Sequence, residues 1–384
     1  MDYTSVLSRM TPTEQRRFTT LAGAYGTAYD KGRNCTDPRI LGLPHHKRIT
    51  QNNALALEAE FMGTYAPAVM AESMRSGATR QDIARVMLEQ YPDLAHGIFR
   101  GRMDVLCDIG LRLMVFNKRV RFFQTTNALE SMLLDSDFGK DIPAEWFRTP
   151  YDEIYIEFGE TRTFPTRMHD PVSGEHVIEG CYLLSGMARS WHSDTLVRGY
   201  DIIFFGSPIG KHGVMDDCFT HLGLPICDDR MSIAELVRET VEHYQARSHF
   251  PNAMAVGPVI EHVAKILVYL GTRDARCQAI HAGRDALQKI ALLKSPAKRE
   301  KAARIAARQY DRVLVGPDTR TQGMAHGTAD GGAHEVRPHI RRGHFRAQPY
   351  GSRHSLRRPQ WIQPTLIGMG GAAGCPEQPE YIVR

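Results

Sequence analysis

Apolar and polar positions recur with two different periods along this chain. In the first third the period is helical. Ile83, Val86, Met87 and Gln90 follow Thr79-Arg80-Gln81-Asp82, a start resembling a capping box. Residues 52–74 are rich in Ala, Leu, Glu and Met, which are good helix formers. Residues 103–115 carry an apolar stripe at Leu106, Ile109, Leu113 and Met114. Residues 1–145 are therefore expected to be mainly helical, and residues 1–140 show no catalytic constellation. His45-His46-Lys47-Arg48 is a small basic spot that reads as a solvated loop.

Near Pro150 the period changes to two. Ile154, Ile156 and Phe158 alternate with Tyr155 and Glu157, the pattern of a half-buried strand over 151–159. Residues 176–184 and 198–205 are further strands, and Asp170-Pro171-Val172-Ser173-Gly174 is a hairpin-type connection. Short links between strands predict an antiparallel sheet. Helices return after Asp229. Ser232-Ile233-Ala234-Glu235 is a capping box ahead of Leu236 and Val237. Residues 258–270 are strongly apolar, too short to span a bilayer, and read as a buried helix. Residues 296–310 are basic and Ala-rich, so one face is solvated. Val313-Leu314-Val315 is one more strand, and 361–367 reads as a strand anchoring the end of the chain to the body. Residues 317–335 have no apolar pattern and read as a flexible linker. The fold class is α+β, with a central domain at 146–316, a basic segment at 336–370 and a tail at 371–384.

Charge changes this picture at one place. The chain of 384 residues carries a net +5, with 42% apolar and 24% charged residues, as in ordinary globular proteins. Between Val336 and Pro376 there is no acidic residue, yet seven arginines: Arg337, Arg341, Arg342, Arg346, Arg353, Arg357 and Arg358. Such a concentration is the footprint of a polyanion-binding element. No eighteen-residue uninterrupted apolar run occurs, and the N-terminus lacks the pattern of a secretory signal. Seven scattered cysteines without a CxxC pair fit free thiols in a reducing cytoplasm. No membrane association is expected.

The chemistry of the basic segment points to RNA. Guanidinium groups bind phosphate and stack on bases. Phe345, Tyr350 and Trp361 are expected to offer ring faces for single-stranded bases, and His354 adds a donor. His339 and His344 could instead serve as acid and base in cutting a phosphodiester. Five residues apart, they share no helix face and would point to opposite sides of one strand. A ribonuclease therefore stays open as an alternative, as does a protein-binding module whose tail grips an acidic partner. Cys218, His221 and Cys227, in a C-x2-H-x5-C order with His212 nearby, lack the compact pairs of zinc modules and read as buried thiols. Gly206-Ser207-Pro208-Ile209-Gly210-Lys211 fails as a phosphate loop, because its glycines are too close and His212 stands where Ser or Thr is needed. Residues 368–374 lack the βαβ unit of a dinucleotide site. Glu157 and Glu160 read as a solvent-facing strand end. No cofactor and no metal is expected.

The run Arg337-Pro338-His339-Ile340-Arg341-Arg342-Gly343-His344-Phe345, then Tyr350-Gly351 and Trp361-Ile362-Gln363-Pro364, resembles the C-terminal signature of phage- and plasmid-encoded proteins. Among them is the type V-A anti-CRISPR family that lowers effector nuclease messenger RNA. Pro150-Tyr151, the strand at 155–157, Gly180 and Tyr182 extend the likeness more weakly. The resemblance implies an inhibitor of gene expression that recognises a nascent type V effector chain and causes loss of its message. It implies RNA partners, including ribosome-associated messenger, and recruited host ribonucleases. It also implies a peptide-recognition surface, for which the edges of the central sheet are candidates.

Overall fold

The computed structural model describes residues 10–49, 57, 60, 64, 120–138, 141–159, 161, 163–170, 174–209, 217–246, 252–317 and 339–367. The helices expected at 79–90 and 103–115 lie outside the described residues. Of 52–74 only residues 57, 60 and 64 are described, and they are helical. The linker at 317–335 is described only at Pro317, and the tail at 371–384 is not described.

The chain opens with α1 (Pro12–Arg33), which starts at a capping box: Thr11 caps Glu14, and the Glu14 carboxylate accepts the Thr11 N–H at 2.9 Å. Two single turns follow, α2 (Pro38–Leu41) and α3 (His45–Arg48). Next come β1 (Arg121–Thr125), α4 (Asn127–Leu134) and β2 (Ser136–Phe138). The central part holds β3 (Glu153–Glu157), β4 (Arg167–Asp170), β5 (Gly174–Arg189), β6 (Leu196–Pro208) and β7 (Cys218–Pro225). Then come α5 (Ile233–Gln245), α6 (Ala253–Leu270), β8 (Cys277–His281), α7 (Ala282–Ala291), α8 (Pro296–Ala306) and β9 (Asp311–Val315). The chain ends in β10 (His339–Arg341), β11 (Gly343–Tyr350), β12 (Leu356–Ile362) and β13 (Thr365–Ile367).

The α+β class holds. The main sheet has eight strands in the order β7-β6-β5-β3-β1-β9-β8, with β4 paired to β5. The expected antiparallel run holds from β3 through β7. The sheet as a whole is mixed, because β1 lies parallel to both β3 and β9. Parallel neighbours need a crossover, and α4 supplies part of the one from β1 to β3. The expected hairpin at 170–174 joins β4 to β5, with Asp170 opposite Gly174.

Both faces of β3 are covered, which corrects the half-buried strand expected at 151–159. Ile154 and Ile156 face a core built with Leu129 and Leu133 of α4, Leu236 of α5 and Val259, Val263 and Leu267 of α6. Tyr155 faces the other way, into a second cluster with Tyr182, Leu184, Ile203, Phe205, Ile49 and Val120. The α3 turn lies over that second cluster. The HHKR spot is therefore no solvated loop: His45, His46 and Arg48 are buried.

Helix α6 begins at Ala253, five residues before the expected start, and Pro258 sits inside it. The proline lacks an N–H for the helix ladder, yet burial of the helix, on every side from His262 to Tyr269, outweighs that loss. With eighteen residues, α6 is long and apolar enough to cross a membrane by length and composition. Its residues from Val256 to Tyr269 are instead mostly buried against the sheet, as expected for a core helix.

Candidate nucleic-acid interface

The basic segment folds as a β-hairpin docked on the body. β11 and β12 pair antiparallel from His344↔Ile362 to Tyr350↔Leu356. Gly351, at φ 79°, opens the turn in a conformation that favours glycine. At the other end β11 runs parallel to β2, with Gly343 opposite Ser136. A side chain at Gly343 would collide with Ser136 Oγ and with Pro364, so glycine permits this approach.

Side chains on a strand alternate between faces, and cross-strand partners share a face. The register therefore sorts the predicted residues. Phe345 and Trp361 are paired and face the body. Phe345 is fully buried, with its ring 5.6 Å from Phe138 and stacked on Trp361 at 6.0 Å. Trp361 Nε1 donates to Ser136 Oγ at 3.2 Å, and its ring meets Tyr269 edge-on at 5.3 Å. The expectation that Phe345 offers a stacking face is thus corrected: its ring is spent on the core. Trp361 is partly buried and anchors the hairpin as expected of the 361–367 segment.

The opposite face carries His344, Arg346, Gln348 and Tyr350 of β11, with Arg358 and Gln360 of β12. Arg346 donates from Nη2 to Gln360 Oε1 at 2.9 Å, which holds its guanidinium flat along the strand pair. Arg358 lies over the Tyr350 ring, 5.3 Å from its centroid. Such stacking costs neither group its outer surface. Arg342 is 3.5 Å from Asp137, both well exposed, a pair of little energetic weight. Arg353 and His354 sit in the turn, at φ 53° and 55°, and the His354 carbonyl accepts from Arg357 at 2.7 Å. Arg337 lies outside the described residues, as do the side chains of His339 and Arg341. The register puts His344, Arg346, Tyr350 and Arg358 on one face of the hairpin, spread along its length, with Arg358 against Tyr350. The structure puts the backbone of His339 in a different sheet from His344, in the pair β10–β13. At the foot of the hairpin a cavity of about 510 Å³ lies between Trp146, Pro150, Leu267, Gly271 and Pro359.

Two buried polar clusters were not legible in the sequence. In the first, Arg48 Nη2 reaches Asp217 at 2.6 Å and Glu179 at 3.0 Å, and Nη1 donates to the Leu43 carbonyl at 2.9 Å. Burial disfavours the charged guanidinium, but Asp217 and then Glu179 outweigh it and raise its pKa above the ordinary arginine range. Ser207 donates to Glu179, and His45 lies 3.6 Å from Asp217 and stacks on Phe205. Next to it His46 stacks on Phe122 at 3.8 Å. Burial first, then the charges of Lys47 and Arg48, hold its pKa well below that of free histidine.

The second cluster gathers at the carboxyl ends of β1 and β3. Thr125 donates to Glu130, and His262 Nε2 lies 2.8 Å from Glu130 Oε2. Glu157, expected to face solvent, is also buried, but on the other face of the sheet with Tyr155, where its carboxylate accepts from Tyr310 at 3.3 Å. Phe158 and Phe164 each stand 5.0 Å from the His262 ring. Acid and base groups are present, but aromatic rings wall them in, so the cluster serves packing. Glu160 lies outside the described residues. Cys218 and His221 are three apart on β7 and so fall on opposite faces. His221 pairs with Asp201 at 3.0 Å, and among the described residues no His, Cys, Asp and Glu group is placed to hold a metal.

The crystal structure of AcrVA2 aligns with this chain at 13% identity and a TM-score of 0.46, over 84% of this chain and 98% of that one. No curated protein matches. Residues 123–369, from β1 through the docked hairpin to just past β13, match the family described as "AcrVA2-like: Anti-CRISPR type V subtype A2 family". That span takes in the first core, most of the second, nearly all of the mixed sheet and the basic hairpin, well over half of the chain, and the chain belongs to the anti-CRISPR type V subtype A2 family.

Proposed function

We propose that this protein inhibits a type V-A CRISPR effector at the level of expression, by contacting RNA through the outward face of its β11–β12 hairpin. It acts in the host cytoplasm, recognises the nascent effector chain and causes loss of the message carrying it, with host ribonucleases doing the cutting. The observation that carries the RNA contact is the sorting of the hairpin. Phe345 and Trp361 pack one face of the hairpin onto the body, and the other face carries Arg346, Arg358, Tyr350 and His344 along its length. Arginines interleaved with an aromatic on an exposed strand pair suit phosphate contact and base stacking. The outer edge of β8, to which no strand pairs among the described residues, supports the nascent-chain role. β8 ends the strand order and is largely exposed, so an extended peptide could add to it by main-chain hydrogen bonds.

Arg346→Ala, Tyr350→Ala and Arg358→Ala together should leave the fold intact, weaken RNA binding and lower its salt dependence by about 1–2 in log–log slope. In bacteria carrying a type V-A effector gene, transcript sequencing should show loss of that message with the wild-type protein and its survival with the triple variant. Equal transcript levels with both proteins would sink the proposal.

A further inference from the structure

The unit between α6 and β9 is built unlike the rest of the molecule. α7 and α8 contain no buried residue. They pack on each other, α7 also meets β9, and the pair is tied down locally, where the Arg284 N–H donates to Asp311 Oδ1 at 3.0 Å. Leu287, Leu292 and Ile305 remain exposed at 66%, 82% and 57%. The side chains of this arm therefore do almost nothing for the core.

Charge is what they carry. Residues 271–312 hold eleven Lys and Arg against four Asp and Glu, a net +7 where the whole chain has +5. On α8, Lys298, Lys301 and Arg304 are spaced by three and fall within an arc of about 120°, which Arg308 extends past the helix end. Lys294, Lys298 and Lys301 meet no carboxylate among the described residues. Glu300 lies 3.3 Å from Arg304, but both are about three-quarters exposed, so that pair leaves the arginine available. From 282 to 309 the arm has no aromatic residue and no histidine. It is thus equipped to bind phosphate and not to stack on bases. Its root adjoins the hairpin: Gly271 and Pro359 line the same cavity, and the chain runs from Gly271 through Arg273 and Arg276 into β8.

We infer that the α7–α8 arm is a second RNA-binding surface, which grips the phosphate backbone without reading sequence while the hairpin contacts bases. Phosphate contacts of this kind position a nucleic acid and supply salt-dependent affinity. The choice of RNA over an acidic protein rests on the reading of the adjoining hairpin.

The test is fluorescence anisotropy with the full chain and a labelled 30-nucleotide mixed-sequence RNA, from 50 to 300 mM KCl. Three variants are compared with wild type: Lys298→Ala/Lys301→Ala/Arg304→Ala in the arm, Arg346→Ala/Arg358→Ala in the hairpin, and Lys298→Arg/Lys301→Arg as a charge-preserving control. The arm variant should lose about 2 from the log–log salt slope and bind at least about tenfold more weakly at 50 mM. The control should behave as wild type. An unchanged slope in the arm variant overturns the inference. If the hairpin variant alone then falls, the hairpin reading stands without it. If the arm variant alone falls, the inference stands and the hairpin reading fails. RNA binding unaffected by the arm, with polyglutamate binding that depends on it, would assign the arm to an acidic protein and overturn the RNA proposal. Because α7 and α8 bury no side chain, the unfolding midpoint of the arm variant should match wild type.

Discussion

Arg48→Met is the sharpest perturbation of this fold. Methionine keeps a linear apolar stem of similar reach and removes only the guanidinium. Arg48 is 1% exposed, and its partners Glu179 and Asp217 have side chains 2% and 5% exposed. The variant would take from Glu179 and Asp217 the guanidinium they share, and from the Leu43 carbonyl one donor, leaving Ser207 on Glu179 and His45 beside Asp217. Removing one side of a buried ion pair costs about 3–5 kcal/mol. Urea unfolding at pH 7.5 should show that loss as a shift in midpoint at constant slope. The penalty must also depend on pH. A buried carboxylate lacking its cation favours its neutral form. As pH falls toward 4.5 the variant can take up protons at Glu179 and Asp217, and the gap to wild type should close by about half or more. Arg48→Met/Asp217→Asn should recover part of the loss at neutral pH, because one buried charge goes with the arginine. A loss under about 1 kcal/mol, or a gap independent of pH, would refute the reasoning. Arg48 lies before the family-matched span, whereas Glu179 and Asp217 lie within it. The same experiment therefore asks how firmly the N-terminal part is bound to the family-matched sheet.

Phe345→Ala should destabilise the protein by about 3–5 kcal/mol, as for a buried phenylalanine, whereas Arg346→Ala should shift the urea midpoint hardly at all. Equal midpoints for the two variants would show that the hairpin is not docked through Phe345. His46 makes stability fall in mild acid. The unfolded chain takes up a proton near the ordinary value of 6.5, while the buried imidazole resists until a much lower pH. The loss begins below pH 6.5 and approaches about 1.4 kcal/mol per pH unit. His46→Phe, which keeps the stack on Phe122, should flatten stability between pH 6.5 and 5 in urea titrations, and an unaltered pH profile would exclude His46 as the source.

Much of the architecture is local and was legible in the chain itself. The Ser232–Glu235 capping box starts α5, period-two runs mark β3, β5 and β6, and Asp170 and Gly174 close a hairpin, because caps, pleats and turns depend on neighbours in sequence. The acid-free arginine run and its likeness to the anti-CRISPR family were equally open to reading, since charge and motif need no geometry. Other features depend on what stands across the fold. A histidine–lysine–arginine turn looks solvated until the carboxylates of Glu179 and Asp217, more than 130 residues away, are folded against it. Parallel placement of β1 between β3 and β9 follows from crossover packing, which no local pattern encodes. Phe345 and Tyr350 look alike in a basic segment. Only the hairpin register, with its period of two, sends one ring into the core and leaves the other beside Arg358 on the surface. Sequence composition determined that the C-terminal segment from Val336 to Pro376 is strongly basic and free of carboxylates; tertiary pairing decided which of its side chains face outward, because burial is a property of two surfaces and not of one residue.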